Sequence, residues 1–577
     1  MSARSSRWSF DKRILPFLLL LTVVAFYLRS WDSDFGLPAL YHPDEGRKVI
    51  LFTDVANGRI QNNFSHPPLM VNLVAVVFLA VEQIQWLSDW NLTLFDQQLL
   101  LGRLVSSIIG ALTVIPVFLL ARNLYGLTAG FVAGLAITVA PMHVLNSHYL
   151  KEEIYLTFFV ALSALFFVKW VAHRKKNPLN VWFFLSAVSA AGAFCSKYVG
   201  LAMVIAFLFI LLLYLDSWKD RFRYTLLAVG LTVLTFLVVC PQLFLGFGDF
   251  VRDFGYEASH GTLGGNRETL FFWQKYDRGL FFLREGILWG IGWPVALTAA
   301  LSVLLFILRH SRHRSILIVA GLAVMWYVIA EMTPAKRGVG RDRYILSALP
   351  LIAVLSGGFI HYVRRLNVKG VRWWTIVFGI ALVIPSTWLT FDAVSSMTPD
   401  TREKAQTFFD KYLSDDDFRI VHYGGYDPVG HKKARISDRS PKGNTWEGTL
   451  ERLNEARFVM TSSFGIDRYE KFPDMEPEVM QQLKTIREMF PYVARFEADP
   501  RQSHEFHNPV IEIRSKKSRE GYRYEGVDPE LKEKSIADQR KWRAAERKRE
   551  FEEFRKERKK EKKRKKESSK EDGYDEG

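Results

Sequence analysis

Eleven apolar runs, of 16 to 23 residues and nearly free of charge, follow one another through the first two-thirds of this 577-residue chain. They lie near 13–29, 103–122, 127–145, 154–171, 181–196, 199–215, 224–243, 286–308, 315–331, 344–362 and 374–391. A segment of this kind crosses a bilayer only as a helix, because hydrocarbon offers no partner to an unpaired peptide group. The sequence therefore predicts an α-helical polytopic membrane protein of 11–12 transmembrane helices. The first run has a basic lead (Arg4, Arg7, Lys12, Arg13) but ends in Tyr27-Leu28-Arg29-Ser30-Trp31, with no small-x-small cleavage site, so it reads as an uncleaved helix.

Lysine and arginine gather at 173–176, 219–223, 309–314 and 364–372, the parity expected of cytoplasmic turns. The opposite side then carries 30–102, 146–153, 244–285, 332–343 and everything beyond about 392. Residues 67–86 are also apolar enough to cross. Counting them as a crossing would invert every later loop, so they are read as a helix that dips in or lies along the outer surface.

Apolar residues make up 49% of the chain although its last third is polar, which concentrates them further in the membrane part. Residues 1–392 form the predicted transmembrane domain, with 30–102 as its first outer loop. Residues 393–516 alternate β-like runs such as Phe458-Val459-Met460-Thr461 and Val510-Ile511-Glu512-Ile513 with helical stretches, beginning with an amphipathic helix at Asp400-Thr401-Arg402-Glu403. That alternation predicts a small extracytoplasmic α/β domain. Residues 517–577 are rich in Lys, Arg and Glu and almost free of aliphatic side chains, which predicts a disordered charged tail. The tail supplies much of the net charge of +16. Nucleic acid is disfavoured as its partner on an outer face; anionic lipid or polymer, or simple solubilisation, fits better. Cys195 and Cys240 each sit inside an apolar run and imply packing, not a disulfide framework.

Chemistry is concentrated after the first helix, at His42-Pro43-Asp44-Glu45-Gly46-Arg47-Lys48 and Ser65-His66-Pro67-Pro68-Leu69. Charge beside a bilayer is costly and points to a substrate; the bland alternative is a solvated connecting loop. Further charge recurs at outer helix ends in Arg103, Glu152, Glu153, Lys197, Lys336, Arg337, Arg341 and Arg343, the last followed by Tyr344. A loop with Glu257, His260, Gly261, Gly264, Gly265 and Asn266 has the glycines of a mobile cover.

The order Asp44-Glu45-Gly46-Arg47, His66-Pro67-Pro68-Leu69, Gly102-Arg103, Leu124-Tyr125-Gly126, Ser147-His148-Tyr149 before Glu152-Glu153, Ser196-Lys197-Tyr198, and Arg343-Tyr344 running to Pro350 resembles the glycosyltransferase C superfamily, in particular its protein O-mannosyltransferase and aminoarabinose transferase branch. His507-Asn508-Pro509 resembles the end of the outer soluble domain found in bacterial and archaeal members. The second acidic site is Glu-Glu where the family more usually has aspartate.

The resemblance implies transfer of a sugar, mannose-like or pentose, from a polyprenyl-phosphate carrier to an acceptor hydroxyl of a protein, lipid or glycan on the non-cytoplasmic face, with inversion. The residues agree with it. An alcohol attacking an anomeric carbon needs a base, for which Asp44 is the candidate; a phosphate leaving group needs cations rather than an acid. Arg103, Lys197, Lys336, Arg337, Arg341 and Arg343 are the candidate cations. Glu45 is expected to orient Arg47 or bind sugar hydroxyls, or to close an ion pair within the loop. His66 is expected on phosphate or sugar, or as a helix-end hydrogen-bonder. Glu152 and Glu153 are assigned to the acceptor pocket, or, in a minority reading, to a divalent cation shared with Asp44; no cofactor is otherwise implied. The rival class is a transporter or lipid-linked-sugar flippase, which predicts charge and broken helices at mid-bilayer and two related halves.

Overall fold

A computed structural model of the chain describes residues 14–516, apart from 62, 85–91, 263–279, 309–314, 333–341, 366–369, 413–418, 424–434, 437–444, 472, 475–476 and 500–506. The charged tail lies outside the described residues.

Each expected crossing has a helix over it. Among the described residues, seven are long and apolar enough to cross a membrane: Phe95–Tyr125, Glu152–His173, Trp218–Val239, Phe282–Leu308, Ser315–Met332, Arg343–Arg364 and Trp373–Ser395. An eighth is a bent pair, Leu127–Thr138 with Pro141–Ser147, at 54°. Leu15–Ser30, Val181–Ser196 and Tyr198–Tyr214 supply the remaining three as shorter apolar helices, and the ambiguous 67–86 run is also helical, over Leu69–Ile84. The elements around the site are α1 (Leu15–Ser30), α2 (Glu45–Ala56), α3 (Leu69–Ile84), α4 (Phe95–Leu112), α5 (Val114–Tyr125), α6 (Leu127–Thr138), α7 (Pro141–Ser147), α8 (Glu152–His173) and α9 (Val181–Ser196). The span read from hydropathy as 103–122 begins eight residues earlier, at Phe95, because its first turns carry Asp96, Gln97 and Gln98.

The bundle is layered about a few deeply enclosed helices. In Arg343–Arg364, 83% of the apolar window is buried inside the protein, against 17% in Trp218–Val239; the latter shows its Leu and Val side chains outward, as a lipid-facing helix does. Close approach of α4 to its neighbours depends on two glycines. A Cβ at Gly102 would stand 2.7 Å from the Leu150 side chain, and one at Gly110 would collide with Ser147.

The break between α6 and α7 is closed by a side chain. Arg29, fully buried at the end of α1, donates to the carbonyls of Ile137 at 2.9 Å and Thr138 at 3.1 Å. Thr390 donates to that of Val139 at 2.8 Å. The carbonyls at this break, where the helix ends and Pro141 has no N–H to offer, are thereby satisfied.

Beyond the last span, five strands form a mixed sheet in the order β2-β1-β3-β5-β4: β1 Arg419–Tyr423, β2 Arg435–Ile436, β3 Phe458–Ser462, β4 Tyr492–Phe496 and β5 Ile511–Ser515. β1 runs parallel to β2 and β3, while β5 is antiparallel to both its neighbours. Successive side chains feed opposite faces, as a period of two requires. Ile420, Phe458, Met460 and Ile513 pack with Phe408 of the helix Thr401–Tyr412. Val421 and Val459 pack with Leu453, Leu483 and Ile486 of two helices on the other side.

Candidate active site

The loop after α1 places two adjacent carboxylates in opposite environments. Asp44 sits at the N-cap of α2, exposed, with no side-chain hydrogen bond or ion pair among the described residues. Its own N–H donates to His42 Nδ1 at 3.1 Å. Glu45, one residue on, is fully buried.

Glu45 and Arg103 are structural partners. Arg103 Nε and Nη2 donate to the two Glu45 oxygens at 2.9 and 2.6 Å, Nη1 donates to the carbonyls of Ser33 and Phe35, and the guanidinium lies 4.0 Å over the Phe35 ring. Glu45 also accepts the Leu150 N–H at 2.9 Å. Two expectations are corrected here. Arg103 is 0% exposed, with each of its three nitrogens already donating, so it has no face to turn to a phosphate. Glu45 neither orients Arg47 nor reaches solvent; it ties α2 to α4 and to the residue before Lys151.

The remaining charges gather around the start of α8. Lys48, one turn into α2, is ion-paired with Glu152. Glu153 accepts from Lys197 Nζ at 2.8 Å and from Arg343 Nε at 3.2 Å, while its second oxygen is buried without a partner among the described residues. Lys197 and Arg343 flank the Tyr344 ring, at 5.2 and 5.6 Å from its centre. Burial alone would lower the Lys197 pKa, but Glu153 outweighs it and the net shift is upward. Lys48, Lys151, Lys197 and Arg343 thus surround two buried glutamates.

Two histidines border this cluster. His66 is half-buried on the turn into α3, within electrostatic reach of Glu152, Lys48, Lys197 and Glu153; enclosure lowers its pKa to about 4, against the pull of Glu152. The turn is held by Tyr198, whose hydroxyl donates to the Phe64 carbonyl at 2.8 Å, and by Asp253, which accepts the Phe64 N–H at 2.8 Å. His42 is fully enclosed, and burial, then Lys151 and Arg343, hold its pKa well below the usual value. Neutral, it accepts the Asp44 N–H.

Glu153, Lys197, Arg343 and Tyr344 are in mutual contact beside the Lys48–Glu152 pair, His66 lies within electrostatic reach of them, and Asp44 is joined to His42 at their edge. Lys336, Arg337 and Arg341 lie outside the described residues. The segment expected as a mobile cover is helical as far as it is described: Glu257 and His260 fall in the helix Phe247–Thr262, and Gly264, Gly265 and Asn266 lie outside the described residues. The glycine pattern hid an amphipathic helix whose Phe250 and Phe254 pack against Tyr198. Of the carboxylates invoked for a divalent cation, Glu152 and Glu153 are ion-paired with Lys48, Lys197 and Arg343, and the described residues contain no group of three metal-binding side chains. Sequence reasoning placed His42 and Lys48 in the charged stretch without a role of their own and did not single out Lys151. The signal for Lys48 was its place four residues after Asp44, one turn along α2.

A family model described as dolichyl-phosphate-mannose-protein mannosyltransferase matches residues 83–244, the stretch that carries Glu152, Glu153 and Lys197. Comparison with curated proteins gives no match. Among solved structures, the oligosaccharyltransferase AglB of Archaeoglobus fulgidus, in complex with an inhibitory peptide and a dolichol-phosphate, aligns at TM-score 0.51 and 13% identity over 85% of this chain and 73% of that one. ArnT of Cupriavidus metallidurans, bound to undecaprenyl phosphate, aligns at 0.49 and 16% over 87% and 98%. The S. cerevisiae protein O-mannosyltransferase complex Pmt1-Pmt2, bound to the sugar donor, aligns at 0.33 and 20% over 43% and 36%. The chain thus has a fold similar to that of the archaeal oligosaccharyltransferase over most of its length, and the mannosyltransferase family model matches the stretch that carries the acidic pair.

Proposed function

We propose that this protein is a membrane glycosyltransferase that moves a sugar from a polyprenyl-phosphate carrier to an acceptor hydroxyl, with inversion, on the non-cytoplasmic face. One observation carries the reading: Asp44 offers an exposed carboxylate, without a side-chain partner among the described residues, beside a group in which Lys48, Lys151, Lys197 and Arg343 outnumber Glu152 and Glu153. The excess positive charge suits a phosphate, and the guanidinium of Arg343 suits its oxygens. The match to a mannosyltransferase family and the dolichol-phosphate bound by the archaeal oligosaccharyltransferase of similar fold support the same donor class.

In the proposed reaction Asp44 takes the proton of the acceptor hydroxyl as its oxygen attacks the anomeric carbon. The carbon–oxygen bond to the carrier phosphate breaks, and the phosphate departs with the electron pair. Cations already fixed by Glu152 and Glu153 need no rearrangement to meet that charge, which is how a preorganised site lowers a barrier. No general acid is required, because a phosphate monoester is a good leaving group. His66, kept neutral by its enclosure, is suited to donate or accept a hydrogen bond to sugar or phosphate without adding charge.

The test is transfer by the purified protein in lipid, with polyprenyl-phosphate-linked sugar as donor. Asp44→Asn is expected to bind donor normally and to lose a factor of about 100 to 10,000 in turnover. Lys197→Met is expected to weaken donor binding instead. Near-normal turnover by Asp44→Asn eliminates the proposed base, and unchanged donor affinity in Lys197→Met moves the phosphate elsewhere.

A further inference from the structure

The loop that carries Asp44 is held from outside the membrane domain. The segment His507-Asn508-Pro509, just before β5, leaves the sheet and is buried among the helices, with His507 and Asn508 each 1% exposed. His507 sits against Phe35 at 4.9 Å and is stacked on Tyr149 at 5.3 Å, and its Nε2 shares a 2.7 Å hydrogen bond with the Tyr149 hydroxyl. The Tyr149 ring packs on His42 at 4.9 Å, and His42 Nδ1 accepts the Asp44 N–H. His507, Tyr149, His42 and Asp44 thus form one continuous chain of contacts.

A second tether reaches the same loop at Tyr41, three residues before Asp44. Arg402 donates to the Tyr41 carbonyl at 3.1 Å and lies 3.9 Å over the Tyr41 ring. It is held in turn by the fully buried Asp400, through two bonds of 2.7 and 2.8 Å. Asp400 also accepts the Asn508 N–H at 2.7 Å, and the Asn508 amide donates to the Ser396 carbonyl at 2.9 Å. Asn508 pays for this geometry with a φ of +48°, a left-handed conformation that asparagine tolerates better than most residues. Burying His, Asn, Asp and Arg where apolar side chains would pack carries a desolvation cost that these hydrogen bonds offset, and their directionality fixes how the segment sits.

We propose that His507 is a positioning residue for Asp44: acting through Tyr149 and His42, it lets the small domain fix the loop on which the base is mounted, with Arg402 as the second anchor. The proposal rests on Asp44 as the base. It differs from simple adhesion between domains because the network ends on the catalytic loop, where a displacement of about 1 Å costs on the order of 100-fold in rate.

The experiment uses the full chain in lipid nanodiscs. His507→Phe keeps a ring in the stack and removes the hydrogen bond; Tyr149→Phe removes the same bond from the other side. Each is expected to melt near the wild type, to keep the donor KM and to lower kcat by about 10- to 100-fold. The double variant is expected to be no worse than either single one, and His507→Gln to recover part of the loss. Amide hydrogen exchange over residues 41–48, which needs no activity, is expected to quicken in both Phe variants. Unchanged exchange at 41–48 overturns the coupling. Quickened exchange with wild-type kcat overturns the catalytic role of the coupling. Absence of any sugar transfer by the wild type would instead defeat the proposed function, while exchange would still decide whether His507 orders the loop.

Discussion

Arg103→Ala separates a structural arginine from a phosphate ligand, two roles that the sequence leaves equivalent. The substitution abandons Glu45 in a site that is 0% exposed, where only the Leu150 N–H at 2.9 Å would still face it. Removing one member of a buried ion pair costs about 3–5 kcal/mol. The carbonyls of Ser33 and Phe35 also lose their donor, at about 1–3 kcal/mol for each that stays dry. Part of this overlaps, since the cavity would admit water, so the expected loss is about 4–6 kcal/mol, enough to depopulate a marginally stable fold. The assay is the temperature at which half the protein survives heating in detergent, read beside polyprenyl-phosphate binding per folded molecule. The expected outcome is a large fall in heat survival with unchanged affinity in the surviving fraction. Replacing both partners, as Glu45→Leu with Arg103→Met, is expected to recover stability relative to Arg103→Ala because no lone charge stays buried. An Arg103→Ala protein that survives heating like the wild type but binds the carrier weakly would refute the structural assignment and return Arg103 to the phosphate.

Two further outcomes are expected. Since enclosure lowers the His66 pKa to about 4 and holds those of His42 and His507 well below their ordinary value, the unfolded chain binds more protons than the folded one below about pH 6.5; stability is therefore expected to fall as pH drops from 6.5 toward 4, with a shallower fall in His66→Gln. A melting temperature that stays flat in wild type across that window would contradict the enclosure of these rings. Single cysteines at Ser65 and Ser503, with Cys195 and Cys240 replaced, are expected to react with a membrane-impermeant thiol reagent in intact cells, while one at Ser311 is not; labelling at Ser311 with protection at Ser503 would invert the second half of the chain and separate Arg343 from Asp44.

The helices were legible because hydropathy and length report directly on the bilayer, and the sheet because β-branched runs alternate with amphipathic helical ones. The roles of individual charges were not. Asp44 and Glu45 are neighbours of the same chemical type, and only the turn into α2 decides that one faces out and the other meets Arg103 from a helix 58 positions along the chain. The Gly102-Arg103 pair looked like a ligand motif. Its glycine lets α4 approach Leu150, and its arginine then pairs with the carboxylate that binds the Leu150 N–H, so both residues serve packing. Lys48 stood in the charged stretch without a role because its partner, Glu152, is 104 residues away. His507 was visible as a landmark before the last strand, but nothing local to it says that it is buried against Tyr149, 358 positions earlier.

The same distinction between open and closed polar groups bears on the rival reading as a transporter. A transporter is expected to use a helix break at depth, offering unwound carbonyls and a helix end to its cargo. The bent pair here, α6 and α7, offers none of the three carbonyls at its break: Arg29 takes those of Ile137 and Thr138, and Thr390 takes that of Val139. Arg29 further meets His143 Nδ1 at 3.0 Å, which closes the other side of the joint. The break is thus a packed corner that turns the chain toward the start of α8, and the groups that remain for a substrate stand at that end of the bundle, with Asp44, Lys48, Lys197 and Arg343. A site that is closed in the interior and charged at one end suits a reaction on a lipid headgroup more than passage of a solute from one side to the other.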